Sequence, residues 1–175
     1  MKKTSLSLVS GILLSTLAFP ALAAKNIPAS AFFDAAICKP PYSTGHAMDL
    51  YEAAEKLGKP DQSSGAAVYH LPAPIQKDGF VAQDLLFSGS TVGVLVKGNV
   101  AEQLAKHYKL KPQKNNIINM SGFARQLPNA QQEMKELGLI SLVALTSPAF
   151  KDKTLLACQF VSNEDQKNMQ LLNED

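Results

Sequence analysis

Residues 80–97 read FVAQDLLFSGSTVGVLVK, and this stretch decides the fold. Two apolar runs, 80–87 and 91–97, flank Ser88-Gly89-Ser90. In the second run Val92, Val94 and Val96 alternate with other residues, the period-two pattern of a strand with one buried face. In the first, the same alternation assigns Val81, Leu85 and Phe87 to one face. Two such runs joined by a short Ser/Gly turn predict a β-hairpin, so antiparallel pairing anchors the architecture.

Outward from the hairpin, the period keeps changing. Residues 67–71 read as a short strand. Residues 116–127 are β-like, with Gly122 expected to mark a bulge. Residues 139–146 are apolar on both faces, as expected of an inner strand covered on both sides. Residues 154–161 place Leu156, Cys158 and Phe160 on one face. Helical spacing appears at 44–57, where Ala47, Leu50, Ala54 and Leu57 recur, with Thr44 as the expected cap and Gly58 and Pro60 as stop signals. Asn99 followed by Glu102 resembles a capping box, and Val100, Leu104 and Tyr108 mark the inner face of the helix behind it. Shorter helical segments are expected at 30–37, capped by Ser30 and halted by Pro40-Pro41, and at 129–137, closed by Gly138. Ser162 with Asp165 starts a terminal helix carrying Met169 and Leu172. Strands joined by hairpins and interleaved with helices give an α+β fold: an antiparallel sheet of five to six strands with helices mainly on one face.

The first 23 residues carry an export pattern. Lys2 and Lys3 precede an apolar core at 6–17, Pro20 follows, and Ala21-Leu22-Ala23 has the small-x-small form a signal peptidase reads. Cleavage is expected between Ala23 and Ala24. It leaves one domain, 24–175, in the periplasm or secreted beyond it, with no membrane span and no cysteine at the new end to take a lipid.

Cleavage also changes the charge. The whole chain has 17 basic and 15 acidic side chains, a net +2. Losing Lys2 and Lys3 leaves 15 of each sign. Arg125 is the single arginine, whereas phosphate recognition usually recruits several. Nucleic acid and anionic lipid are therefore not expected as partners.

Two cysteines remain, Cys38 and Cys158. In an oxidising compartment an even count with none left over predicts one disulfide. Two buried free thiols are the plain alternative. A redox site is a weaker one, because no C-x-x-C is present.

Motifs for chemistry are absent. His46, His70 and His107 lack the close spacing of a zinc site, although soft ligation of copper with Met48 or Met120 is conceivable chemistry for this compartment. Gly89-Ser90-Thr91-Val92-Gly93 only loosely resembles a nucleophile elbow, and turn geometry alone accounts for it. There is no glycine-rich phosphate loop. With no tryptophan, platforms for stacking sugars are thin. No catalytic residue, metal or cofactor is assigned.

The expected function is that of a small periplasmic binding or inhibitory protein whose partner is another protein of the bacterial envelope, such as a cell-wall hydrolase or a toxin. Loops at 39–45, 71–79 and 147–153 are the candidate contacts. Pro40, Pro41, Pro72, Pro74 and Pro148 stiffen them, which lowers the ordering cost of binding. Tyr42 and Phe150 supply aromatic anchors. One alternative is a small-molecule or metal-binding module with a pocket between sheet and helices. Another is an envelope hydrolase without a recognisable motif, with His70 and Asp84 brought together from adjacent strands.

Overall fold

The computed structural model describes residues 27–113 and 121–171. The expected leader, including Ala23 and Ala24, lies outside the described residues, as do Met120 and Leu172. Among the described residues the order is α1 (Ala29–Ala36), α2 (Thr44–Glu55), β1 (Ala67–Lys77), β2 (Phe80–Ser88), β3 (Thr91–Lys97), α3 (Ala101–Tyr108), β4 (Lys111–Pro112), β5 (Ser121–Gln126), β6 (Gly138–Thr146), β7 (Lys153–Ser162) and α4 (Asn163–Leu171).

The strands form one sheet in the order β1-β2-β3-β7-β6-β5-β4. Every pair is antiparallel, as the 80–97 hairpin predicts. The class is α+β. The strand count is seven rather than five to six, because two residues, Lys111 and Pro112, pair with Ala124 and Phe123 as an edge strand too short to leave a periodic signal.

The helices cover one face. α1 lies on β3 and β7, and α3 on β5, β6 and β7. Phe33, Leu50, Leu85, Val94, Leu104, Ile140 and Leu156 are buried together there. Each such side chain contributes about 2 kcal/mol by leaving water. α2 adds Tyr51, whose ring meets Tyr69 and Phe87 edge-on at 6.0 and 5.4 Å. On the opposite face Leu86, Leu95, Val143, Leu145, Leu155 and Ala157 form a second apolar cluster with Ala66. β6 contributes to both, as expected of a strand apolar on two sides.

The disulfide is present. Cys38 and Cys158 are bonded with their Cα atoms 5.0 Å apart, which ties the end of α1 to β7. Both residues are buried.

Several local expectations are corrected. The register of β2 against β3 shifts between Ala82 and Asp84. This bulge puts Ala82, not Val81, on the core face with Leu85 and Phe87. β1 does not stop at Leu71 but runs to Lys77 through Pro72 and Pro74. An edge strand tolerates proline, since an outward N–H has no partner to lose. Gly122 sits in unbroken register opposite Leu145, not in a bulge. Its role is close approach, because a Cβ there would fall 2.1 Å from the Ala144 carbonyl oxygen.

Residues 129–137 form a single 3₁₀ turn, Asn129–Gln131, rather than a helix. Gln132 explains this. Its buried amide donates to the carbonyls of Leu127 (2.9 Å) and Ile140 (3.0 Å) and accepts the Ile140 N–H (2.8 Å). The side chain thus replaces a peptide group between two extended segments.

Caps shift as well. Pro28, not Ser30, precedes α1, and Ser43, not Thr44, caps α2 by accepting the His46 N–H. Asn99 makes no capping bond. Val100 precedes α3, and its N–H donates to Thr154 Oγ1 at 2.9 Å. Ser162 does cap α4, accepting the Asp165 N–H at 3.1 Å.

Candidate functional site

The first and third candidate loops lie at opposite ends of the sheet. Tyr42 is buried and stacked on Phe160, with ring centroids 6.0 Å apart and planes 10° apart, so it is a core residue and not a partner anchor. Pro40 is exposed and Pro41 half-buried beside it. This segment follows Cys38, whose partner Cys158 pairs with Val92, near the 88–90 turn. The turn at 147–152 lies at the other end of the sheet, beyond the Leu145–Leu155 pair. There Pro148 is exposed, while half-buried Phe150 packs on the second apolar cluster. Pro72 and Pro74 are exposed on edge strand β1 and not in a loop.

His70 and Asp84 are brought together. They face each other in register across β1 and β2, and His70 Nδ1 lies 2.8 Å from Asp84 Oδ1. Lys153 Nζ donates to Asp84 Oδ2 at 2.7 Å. With Nδ1–H given to the carboxylate, His70 Nε2 accepts from the Gln83 amide at 3.2 Å. The bulge that reverses Val81 also places Gln83 within reach of this ring. Asp84 is 6% exposed, and burial of a carboxylate demands such pairing. Asp84 is thus paired with Lys153 on one oxygen and with His70 on the other, while the His70 ring is largely exposed at its outer nitrogen.

A cavity of about 480 Å³ opens between the start of α3 and the first residues of β5. Asn99, Glu102 and Gln103 line one side. Ser121, Gly122, Phe123 and Thr146 line the other, with Gln113 between them. Its walls are held by backbone. Thr154, fully buried, accepts the Val100 N–H and donates to the Gly98 carbonyl at 2.8 Å, fixing the turn that carries Asn99. α3 turns Ala101, Leu104 and Ala105 inward, which leaves Glu102 and Gln103 outward. Thr146 Oγ1 donates to the Ser121 carbonyl at 3.1 Å and lies 3.2 Å from Ser121 Oγ. The tight Gly122–Ala144 contact holds β5 against β6 at this point. None of these residues carries a motif. The cavity exists because α3 docks beside β5, a relation between segments 20 residues apart that spacing does not announce.

A second void, about 10 Å³, lies beside the disulfide and is lined by Pro40, Tyr42, His46 and Cys158. It is at the threshold for one water.

The histidines are held apart. His46 is in the first turn of α2, His70 is bound in its network, and His107 packs on Tyr108 and Phe80 from α3. Met48 is exposed on α2. Among the described residues no three His, Cys, Asp or Glu side chains are grouped to hold a metal ion, and no helix is long and apolar enough to cross a membrane. No family model, curated protein or solved structure matches the chain.

Proposed function

We propose that the protein is a small binding module of the bacterial periplasm that takes a small molecule in the cavity between α3 and β5. The cavity carries this reading: its volume falls in the range of ordinary ligand sites, about 300–1,000 Å³. The export pattern of residues 1–23 and the disulfide suit an oxidising compartment. The scatter of the three proline-bearing segments favours a cavity over a single inserted loop. Neither cavity described above includes His70 or Asp84.

Inhibition of an envelope protein is the second reading. One observation favours it: the 147–152 turn, with Pro148 and Ala149 exposed, continues directly from Thr146 on the cavity wall. The test is native mass spectrometry of the protein recovered from the periplasm of producing cells. The expected species begins at Ala24 and carries a small retained ligand. A chain recovered from the cytosol with residues 1–23 attached overturns the location. A stoichiometric complex with an envelope protein and an empty cavity overturns the small-molecule reading in favour of inhibition.

A further inference from the structure

We propose that the Cys38–Cys158 bond is made in a fixed order: an external disulfide donor exchanges first with Cys38, and Cys158 then completes the bond. The two cysteines sit in segments of opposite character. Cys158 lies in β7, where it pairs with Val92 of β3 on one side and Leu142 of β6 on the other. β7 is an inner strand of the sheet, so backbone ladders hold both of its edges. Cys158 is 1% exposed and lines the small void with Tyr42, His46, Ala47 and Leu50. Carrying this residue out to solvent would take two ladders apart.

Cys38 follows α1, which is attached more loosely. α1 has 8 residues, and no side chain caps its start. A helix shorter than about 12–15 residues is marginal in water by itself. Among the described residues no backbone hydrogen bond joins α1 to the sheet. The bonds at its end are local: the Cys38 N–H donates to the Ala35 carbonyl at 2.9 Å and the Lys39 N–H to the Asp34 carbonyl at 2.8 Å. α1 is held down by the packing of Phe32, Phe33 and Ala36, by the Asp34–Lys77 ion pair and by the disulfide that follows it. Before the disulfide forms, α1 can lift while the ladders of β7 stay closed, which is local opening rather than unfolding. It carries Cys38 out with it, next to Lys39 and Pro40, which are exposed even in the closed fold.

The exchange balances without a further co-reactant. The Cys38 thiolate attacks one sulfur of the donor's disulfide, which forms a mixed disulfide and releases one donor thiolate. As α1 docks, the Cys158 thiolate attacks the Cys38 sulfur. The Cys38–Cys158 bond forms, and the second donor thiolate leaves. The chain has lost two protons and two electrons, and the donor's disulfide has become two thiols. Cys158 can take the second step because it is intramolecular, with the two Cα atoms 5.0 Å apart once α1 is seated. It is poorly placed for the first step, since a donor molecule needs a path to the sulfur it meets. Closure then protects itself: Cys38 is 4% exposed and Cys158 1%, so neither sulfur is open to a returning thiol.

The test takes the protein produced from its full chain, reduces it, and exposes it in native buffer to glutathione disulfide as the donor. Samples are quenched with acid over time, and peptide mapping by mass spectrometry reads which cysteine carries glutathione. In the wild type the adduct is expected on Cys38 before the internal bond closes. In Cys158→Ser it is expected to build up on Cys38 at least about tenfold faster than it does on Cys158 in Cys38→Ser. Concentrated urea is expected to bring the two rates together. Amide exchange in β3 and β7 reports whether the sheet is formed in each sample. An adduct that appears first on Cys158 in the wild type, or equal rates in native buffer, overturns the order. Loss of amide protection in β3 and β7 when the wild type is reduced overturns it too, because α1 would then not open separately from the sheet.

Discussion

The Tyr108 hydroxyl donates to the Asp78 carboxylate at 2.9 Å across 30 positions of chain, tying α3 to the tip of the β1–β2 hairpin. Asp78 (φ 53°) and Gly79 (φ 83°) make that tip, in the left-handed pair of conformations a two-residue hairpin turn requires. Arg125 Nε donates to the Tyr108 carbonyl, so β5 joins the same junction. At neutral pH Tyr108→Phe is expected to cost about 1 kcal/mol, read as a lower midpoint in urea unfolding.

The same junction predicts an alkaline limit. Burial, then the Asp78 hydrogen bond, holds the Tyr108 phenol well above its ordinary range. Burial and the hydrogen bond with Tyr51 push Tyr69 up to about 12. A raised phenol means the fold prefers the neutral form. That stability is complete below the ordinary phenol value of about 10, and is lost as pH climbs through the folded values. Thermal midpoints should therefore fall steeply above about pH 10, and less steeply in Tyr108→Phe. Identical slopes in both proteins would remove Tyr108 from this account.

Loss of the disulfide should be costly. A bond closing a loop of 120 positions restricts the unfolded chain, and in the chain-entropy model removing it costs about 4–5 kcal/mol. The double change Cys38→Ala, Cys158→Ala is expected to show that loss in urea titration, with the wild type matching it only after reduction. Alkylation of both cysteines in native, unreduced protein would contradict the bond.

Gln132, buried within the 129–137 segment, is expected to tolerate replacement poorly. Gln132→Ala leaves the Ile140 N–H and the Leu127 carbonyl buried without their partner, a cost of about 2–4 kcal/mol. Hydrogen exchange at the Ile140 amide should accelerate in the variant by the corresponding factor.

Lys109 gives a change of opposite sign. It ends α3 in the left-handed region, φ 57° and ψ 45°, where a side chain is strained and glycine is not. Lys109→Gly is expected to raise stability by about 0.5–1 kcal/mol in the same urea assay.

What the sequence makes legible is whatever repeats. The 80–97 hairpin, the two-sided strand at 139–146 and the helix containing Leu50 and Ala54 all announce themselves by period. The Cys38–Cys158 bond is legible from parity and compartment. Singular events are not. One extra residue at the β2 bulge reverses the face of Val81, and one glutamine amide acting as a peptide group replaces the expected helix after Asn129. Proline reads as a loop signal at 72 and 74 because its missing N–H disqualifies it from an inner strand; which strand forms the rim is a matter of topology. Of the candidate site, the His70–Asp84 pair was foreseeable from adjacent strands. Phe123 and Gln103 were not, since they become neighbours only once α3 packs beside β5.

Those two prolines also bear on how the protein behaves in a crowd. A strand at the border of a sheet is a template on which stray extended chains can grow. Here Asp61 and Val68 exchange both backbone bonds across one end of β1, at 2.8 and 2.9 Å. Beyond His70, Pro72 and Pro74 carry no amide donor, and the pairing slips between His70 and Ile75. A second chain meeting this border finds no continuous row of donors to copy, so growth along it is disfavoured.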